Sequence, residues 1–151
     1  MDYKCKLLEL PDQPVLIMKT TTAAKNLPEF FGKAFGGIME FLGKLGQKPA
    51  GMPFGAYYNM DMENLEVEAG WPVEQKIEGK GEIISSKIPG GKFASTIHVG
   101  SYDSVGPAYE ALEKWAKDQG FEPTGVAYEY YLNDPSEEGV EPETEIRYSL
   151  K

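Results

Sequence analysis

Hydrophobic positions along the chain change period several times, and each change marks an element. PVLIMKT, residues 14–20, is an apolar run of strand length. From Leu27 to Leu45 the apolar residues return at helical spacing, opened by Asn26 with Glu29 three residues on, a capping-box pattern, and closed by Gly46. Pro28 falls in the first turn, where backbone N–H groups lack helical partners anyway. Two strands follow, MPFGAYYN and LEVEAGWPV, around a polar turn at Asp61–Asn64. The order then recurs: KFASTIHV as a strand, then a helix from near Asp103 to Gly120 with Pro107 in its first turn. VAYEYYLN and TEIRYSL follow as strands around the loop DPSEEGVEPE. The second helix carries an apolar stripe of Val105, Ala108, Tyr109, Leu112, Trp115 and Ala116. KCKLLEL and GEIISSKIP read as two further strands, one introducing each half.

The recurrence is a repeat. GQKPAGMPFGAYYN and GFEPTGVAYEYYLN align at an offset of 74, placing Pro49 on Pro123, Gly51 on Gly125, Tyr57 on Tyr131 and Asn59 on Asn133. The same offset carries Ala34, Phe35, Ile38 and Phe41 onto Ala108, Tyr109, Leu112 and Trp115. Turn residues and core positions preserved together indicate a duplicated unit and a fused pseudo-dimer. The expected fold is α+β: duplicated β-α-β-β units forming a mainly antiparallel sheet with two helices and a central cleft. One domain spans residues 1–151, with repeats at about 14–73 and 92–150. The first helix contains Gly32, Gly36, Gly37 and Gly43, read as sites of close approach to the sheet; its many aromatic residues also offer a face for a protein partner or self-association through residues 27–45.

Strand parity then assigns faces. Val126, Tyr128, Tyr130 and Leu132 share one side, and Ala127, Glu129, Tyr131 and Asn133 the other. In the first copy Met52, Phe54, Ala56 and Tyr58 form the more apolar side, against Pro53, Gly55, Tyr57 and Asn59. Helices are expected over the apolar sides, leaving Tyr57, Tyr131, Gly55 and Glu129 to line the cleft. There the repeat breaks its symmetry, with glycine supplying space in one copy and glutamate supplying charge in the other. A carboxylate between tyrosine rings suits a flat or cationic organic ligand. Desolvation would also raise its pKa and fit it for acid–base work. Trp71 shares parity with Leu65, Val67 and Ala69, which points to the core, while Pro72 offers a bend toward the cleft.

Composition narrows the partners. With 24 acidic against 15 basic residues the net charge is −9, which disfavours nucleic acid as a direct partner. His98 is the sole histidine and Cys5 the sole cysteine, so a disulfide within the chain, a metal centre and a cofactor site are not expected. No nucleophile signature accompanies His98, which reads as structural, hydrogen-bonded near the start of the second helix. No secretory leader or membrane span is recognisable, so a cytoplasmic location is the expectation.

HVGSYDSVGPAYEALEKWAKDQGFEPTGVAYEYYLNDP resembles the gyrase-inhibitor-like small-molecule-binding family, which includes the effector-binding domains of multidrug-responsive transcription regulators. The features are His98, Gly100 and Tyr102, then Trp115, then Glu129, Tyr131, Leu132, Asn133, Asp134 and Pro135. The match is specific across about residues 92–150 and looser over the first half. The resemblance implies two fused strand-helix-strand-strand units with a ligand cleft, and Glu129 as the pocket residue for cationic aromatic compounds. Since no helix-turn-helix is recognised ahead of the domain, a stand-alone binder is expected. Two alternatives stand beside it. One is a hydrolase of reactive, cyclopropane-containing xenobiotics with Glu129 as acid or base; the other is a gyrase-inhibitor-like protein-interaction module.

Overall fold

The computed structural model describes residues 3–101, 105–133 and 141–151. Its elements are β1 (Lys6–Leu10), β2 (Gln13–Thr22), α1 (Leu27–Lys44), β3 (Phe54–Tyr57), β4 (Leu65–Pro72), β5 (Ile84–Ile88), β6 (Gly91–Val99), α2 (Gly106–Asp118), β7 (Pro123–Tyr131) and β8 (Glu143–Leu150). They form two compact units, one of Pro11–Gly90 and one of Met1–Leu10 with Gly91–Lys151. The fold is α+β, and each unit holds a strand-helix-strand-strand core in antiparallel pairing.

In the continuous unit the strand order is β3-β4-β2-β5, and in the other it is β1-β6-β8-β7. The two extra strands are therefore exchanged relative to the sequence expectation. β1 precedes the continuous unit but pairs with β6, from Lys6 opposite Ser95 to Leu10 opposite Gly91. β5 precedes β6 but pairs with β2, from Gln13 opposite Ile88 to Ile17 opposite Ile84. Asp12 closes the place where the chain leaves and re-enters: its carboxylate accepts from the Gly90 N–H at 2.6 Å and from Lys87 Nζ at 3.1 Å.

The cores repeat position by position. α1 packs Ala34, Ile38 and Leu42 onto Leu16, Met18, Ala69 and Val73. α2 packs Ala108, Leu112 and Ala116, each 74 residues on, onto Ala94, Ile146 and Leu150. Each buried leucine or isoleucine contributes about 1.5–3 kcal/mol, so these facing rows hold helix to sheet. Val105, Tyr109 and Trp115 flank the second cluster, as the helical stripe requires.

Both helices stop in the same way. Gly46 and Gly120 have φ of +67° and +84°. The Gly46 and Gln47 amides return to the carbonyls of Gly43 and Leu42, and the Gly120 and Phe121 amides to those of Lys117 and Ala116. This is the Schellman arrangement, which satisfies the orphan carbonyls of a helix end. The starts differ from expectation. Asn26 makes no side-chain cap, because a 3₁₀ turn at Ala24–Asn26 has already drawn it into helical geometry; its Nδ2 donates to Thr22 Oγ1 at 3.0 Å. α2 begins at Gly106, while the expected start at Asp103 lies outside the described residues, as do Tyr102, Asp134 and Pro135.

Asn59 and Asn133 are matching hairpin clasps. Asn59 donates to the Asn64 carbonyl and accepts from the Glu66 amide, while Asn133 donates to the Glu141 carbonyl and accepts from the Glu143 amide. Two further expectations are overturned. A Cβ at Gly32, Gly36, Gly37 or Gly43 would meet nothing within 4 Å, so these glycines do not mark close approach to the sheet. The helices also cover the opposite strand faces from those expected, on the side of Gly55 and Tyr57 in one unit and of Glu129 and Tyr131 in the other. Register fixes this: Gly55 lies opposite Ala69, and Glu129 opposite Ile146, both of which pack under their unit's helix. Phe54, Ala56, Tyr128 and Tyr130 are buried as well, so both faces of β3 and β7 are inside.

Candidate functional site

Glu129 sits two residues from the end of β7 with only 9% of its surface exposed. Its neighbours come from two directions. Tyr109, one turn into α2, donates its hydroxyl to Glu129 Oε2 in a short hydrogen bond. Tyr131, two residues along the strand and so on the same face, donates to Oε1 at 3.3 Å. Burial pushes the Glu129 carboxyl above its ordinary value; the two tyrosine hydroxyls and the nearby His98 oppose that rise by smaller amounts. Among the described residues no lysine or arginine forms an ion pair with it. Tyr109 is itself held edge-on by Tyr148, with ring centroids 6.1 Å apart.

His98, on β6, shares this face. It is 2% exposed, with Nδ1 3.0 Å from the Tyr3 hydroxyl and Nε2 3.0 Å from the Ser101 carbonyl. A carbonyl only accepts, so Nε2 carries a proton and donates it to Ser101, while Nδ1 pairs with the Tyr3 hydroxyl. His98 therefore joins the segment before β1 to the end of β6.

The expected site residues fall in both units. Glu129 and Tyr131 are together in one. In the other, Gly55 faces Ala69 and Tyr57 faces Val67, and the Tyr57 ring meets Phe31 of α1 edge-on at 6.5 Å. Trp71 is half-buried against the α1 cluster; its Nε1–H donates to the Phe35 carbonyl at 3.1 Å, and its ring meets Phe35 at 71°. It thus lies on the α1 side of β4, the face that also carries Ala69 and Val67 opposite Gly55 and Tyr57.

Tyr109 was missed as a site residue, although the repeat contained the signal. Its counterpart at the 74-residue offset is Phe35, a ring without a hydroxyl. The exchange of Phe35 for Tyr109 accompanies that of Gly55 for Glu129, and the structure joins the two gained polar groups directly. Among the described residues no cluster of three or more histidine, cysteine or acidic side chains is placed to hold a metal ion. No helix among them is long and apolar enough to cross a membrane.

Comparison with known proteins agrees with this architecture. The GyrI-like small molecule binding domain family matches residues 3–150, and the chain belongs to that family. Among solved structures, the EcmrR C-terminal domain is similar at 23% identity and a TM-score of 0.72, covering 100% of this chain and 99% of its own. EcmrR in its DNA complex aligns at 24% identity and a TM-score of 0.83, over 99% of this chain; the chain spans 57% of the length of that protein. A hydrolase from Listeria innocua aligns at 11% identity and a TM-score of 0.72, covering 98% of this chain and 92% of its own. SAV2435, solved bound to tetraphenylphosphonium, aligns at 12% identity and a TM-score of 0.62, over 100% of this chain and 94% of its own. The search of curated proteins finds no match.

Proposed function

We propose that the chain binds aromatic organic cations of xenobiotic type, with Glu129 as the counter-charge and Tyr109 and Tyr131 as its frame. One observation carries this reading: a carboxylate buried among tyrosine side chains and lacking a lysine or arginine partner among the described residues. Burying an ionised carboxylate without a counterion is costly, and a ligand cation removes that cost while its rings stack on the tyrosines. Membership of a small-molecule-binding family and the tetraphenylphosphonium complex of a structural neighbour support the choice of ligand class.

Calorimetry with tetraphenylphosphonium and neutral triphenylphosphine oxide tests it. Glu129→Gln keeps the shape and removes the charge, so the cation should weaken by roughly ten- to a hundredfold, from a charged contact worth about 1–3 kcal/mol. The neutral compound should change little. Equal losses for both, or none for the cation, would sink the proposal.

A hydrolytic reading has one observation in its favour. The upward shift of Glu129 beside the Tyr109 hydroxyl makes a proton donor and acceptor pair suited to opening a strained ring with water. Incubation with a cyclopropane electrophile and mass spectrometry of the small molecule would reveal a gain of one water. Unchanged reactant would reject it.

A further inference from the structure

Thr144 of β8 is wholly buried, and its Oγ1 has no hydrogen-bond partner among the described residues. An unsatisfied buried hydroxyl is destabilising, and valine has nearly the same shape without that cost. The repeat makes this comparison directly. The register runs His98, Thr144, Tyr131 across β6, β8 and β7. In the other unit the corresponding row is Thr20, Val67, Tyr57, and Val67 is 1% exposed. The fold thus accepts valine at this position in one copy and holds a threonine with an unused hydroxyl in the other.

The copy with the threonine is also the copy with Glu129 for Gly55 and Tyr109 for Phe35. Thr144 lies on their face: it is directly opposite Tyr131 and diagonal to Glu129, whose own partner is Ile146. We infer that Thr144 is a ligand-binding hydroxyl of the Glu129 site, selecting aromatic cations that carry a hydrogen-bonding oxygen about one ring away from the positive centre. The spacing follows from the sheet, since diagonal cross-strand neighbours stand ~7–8 Å apart. Tyr131 is the half-buried member of the row and the residue directly opposite Thr144, on the solvent-reached edge of the site. The inference rests on the reading of Glu129 as the partner of the cation.

A matched probe pair tests it: (4-methoxyphenyl)triphenylphosphonium and (4-ethylphenyl)triphenylphosphonium, which differ by an oxygen in place of a methylene. The full chain should prefer the methoxy probe by about two- to tenfold, the range of one neutral hydrogen bond. Thr144→Val should abolish that preference while leaving the ethyl probe's affinity within twofold, and Thr144→Ser should retain it. Far-ultraviolet circular dichroism confirms that each variant is folded. No preference in the native chain, or the same preference in Thr144→Val, overturns the role of Thr144. If the preference is absent but Glu129→Gln still weakens both probes, the cation site stands and this inference alone fails. If neither probe binds the native chain, both fall together.

Discussion

Glu129 ties the stability of the protein to its ligand chemistry through a single proton. Its native pKa is raised above the ordinary 4.5 by burial, so between those two values the folded chain holds a proton that the unfolded chain has released. Stability should therefore decline as pH rises through this window, by up to about 1.4 kcal/mol per pH unit. Glu129→Gln should lack that slope, which urea titrations of both proteins across the window would show. Cation binding should run the other way, failing as pH falls through the raised value and the carboxyl becomes neutral. At this scale the sequence yielded Glu129, because a glycine-to-glutamate exchange stands out inside an otherwise matched repeat. Tyr109 stayed hidden in the apolar stripe of its helix. Periodicity tells which face of a helix turns inward, but not which member of that face reaches past the core to a strand. Thr144 was hidden too, since a threonine in a strand is unremarkable until its hydroxyl is seen to lack a partner.

Helix ends and helix glycines separate two uses of the same residue. Gly46 holds a left-handed conformation at the end of α1, whereas Gly36 sits mid-helix with open space where a Cβ would go. Gly46→Ala should destabilise by about 1 kcal/mol through backbone strain. Gly36→Ala should stabilise by about 0.4–1 kcal/mol, by restricting the unfolded chain. Opposite shifts of the urea midpoint are the expected outcome. The helix stops were legible because a Schellman turn is a local event carried by one glycine. The Asn26 capping box was not, since the preceding 3₁₀ turn had already changed the geometry of the residue. Faces and strand partners depend on the whole fold. Tyr128 and Tyr130 looked like the helix-covered side, yet β7 is buried on both faces, and alternation alone does not say which one a helix takes. The exchange of β1 and β5 is likewise decided by distant pairing, about which a five-residue strand carries little information.

The net charge of −9 belongs to the molecule as a whole, and acts on a ligand before any contact forms. Stopped-flow association of tetraphenylphosphonium should slow as salt rises from about 0.01 M to 0.15 M, because the Debye length shrinks from ~30 Å to ~8 Å. Dissociation should change less, since Glu129 is shielded from bulk ions. A rate indifferent to salt would show that the surface charge serves solubility alone. The exchanged strand β1 also sets the order in which the molecule can assemble. Pairing Leu10 with Gly91 draws together two points of the chain separated by the whole of Pro11–Gly90. If that stretch were still a random coil, closing it would cost entropy that grows with the logarithm of its length. Once the stretch has folded and Asp12 has bonded to the Gly90 amide, the same two points are held by something as short as a turn. The inserted unit should therefore serve as a template: pulse-labelled hydrogen exchange during refolding is expected to protect its amides first and those of β1 last, after the path that carries the chain back to β6 is already shaped.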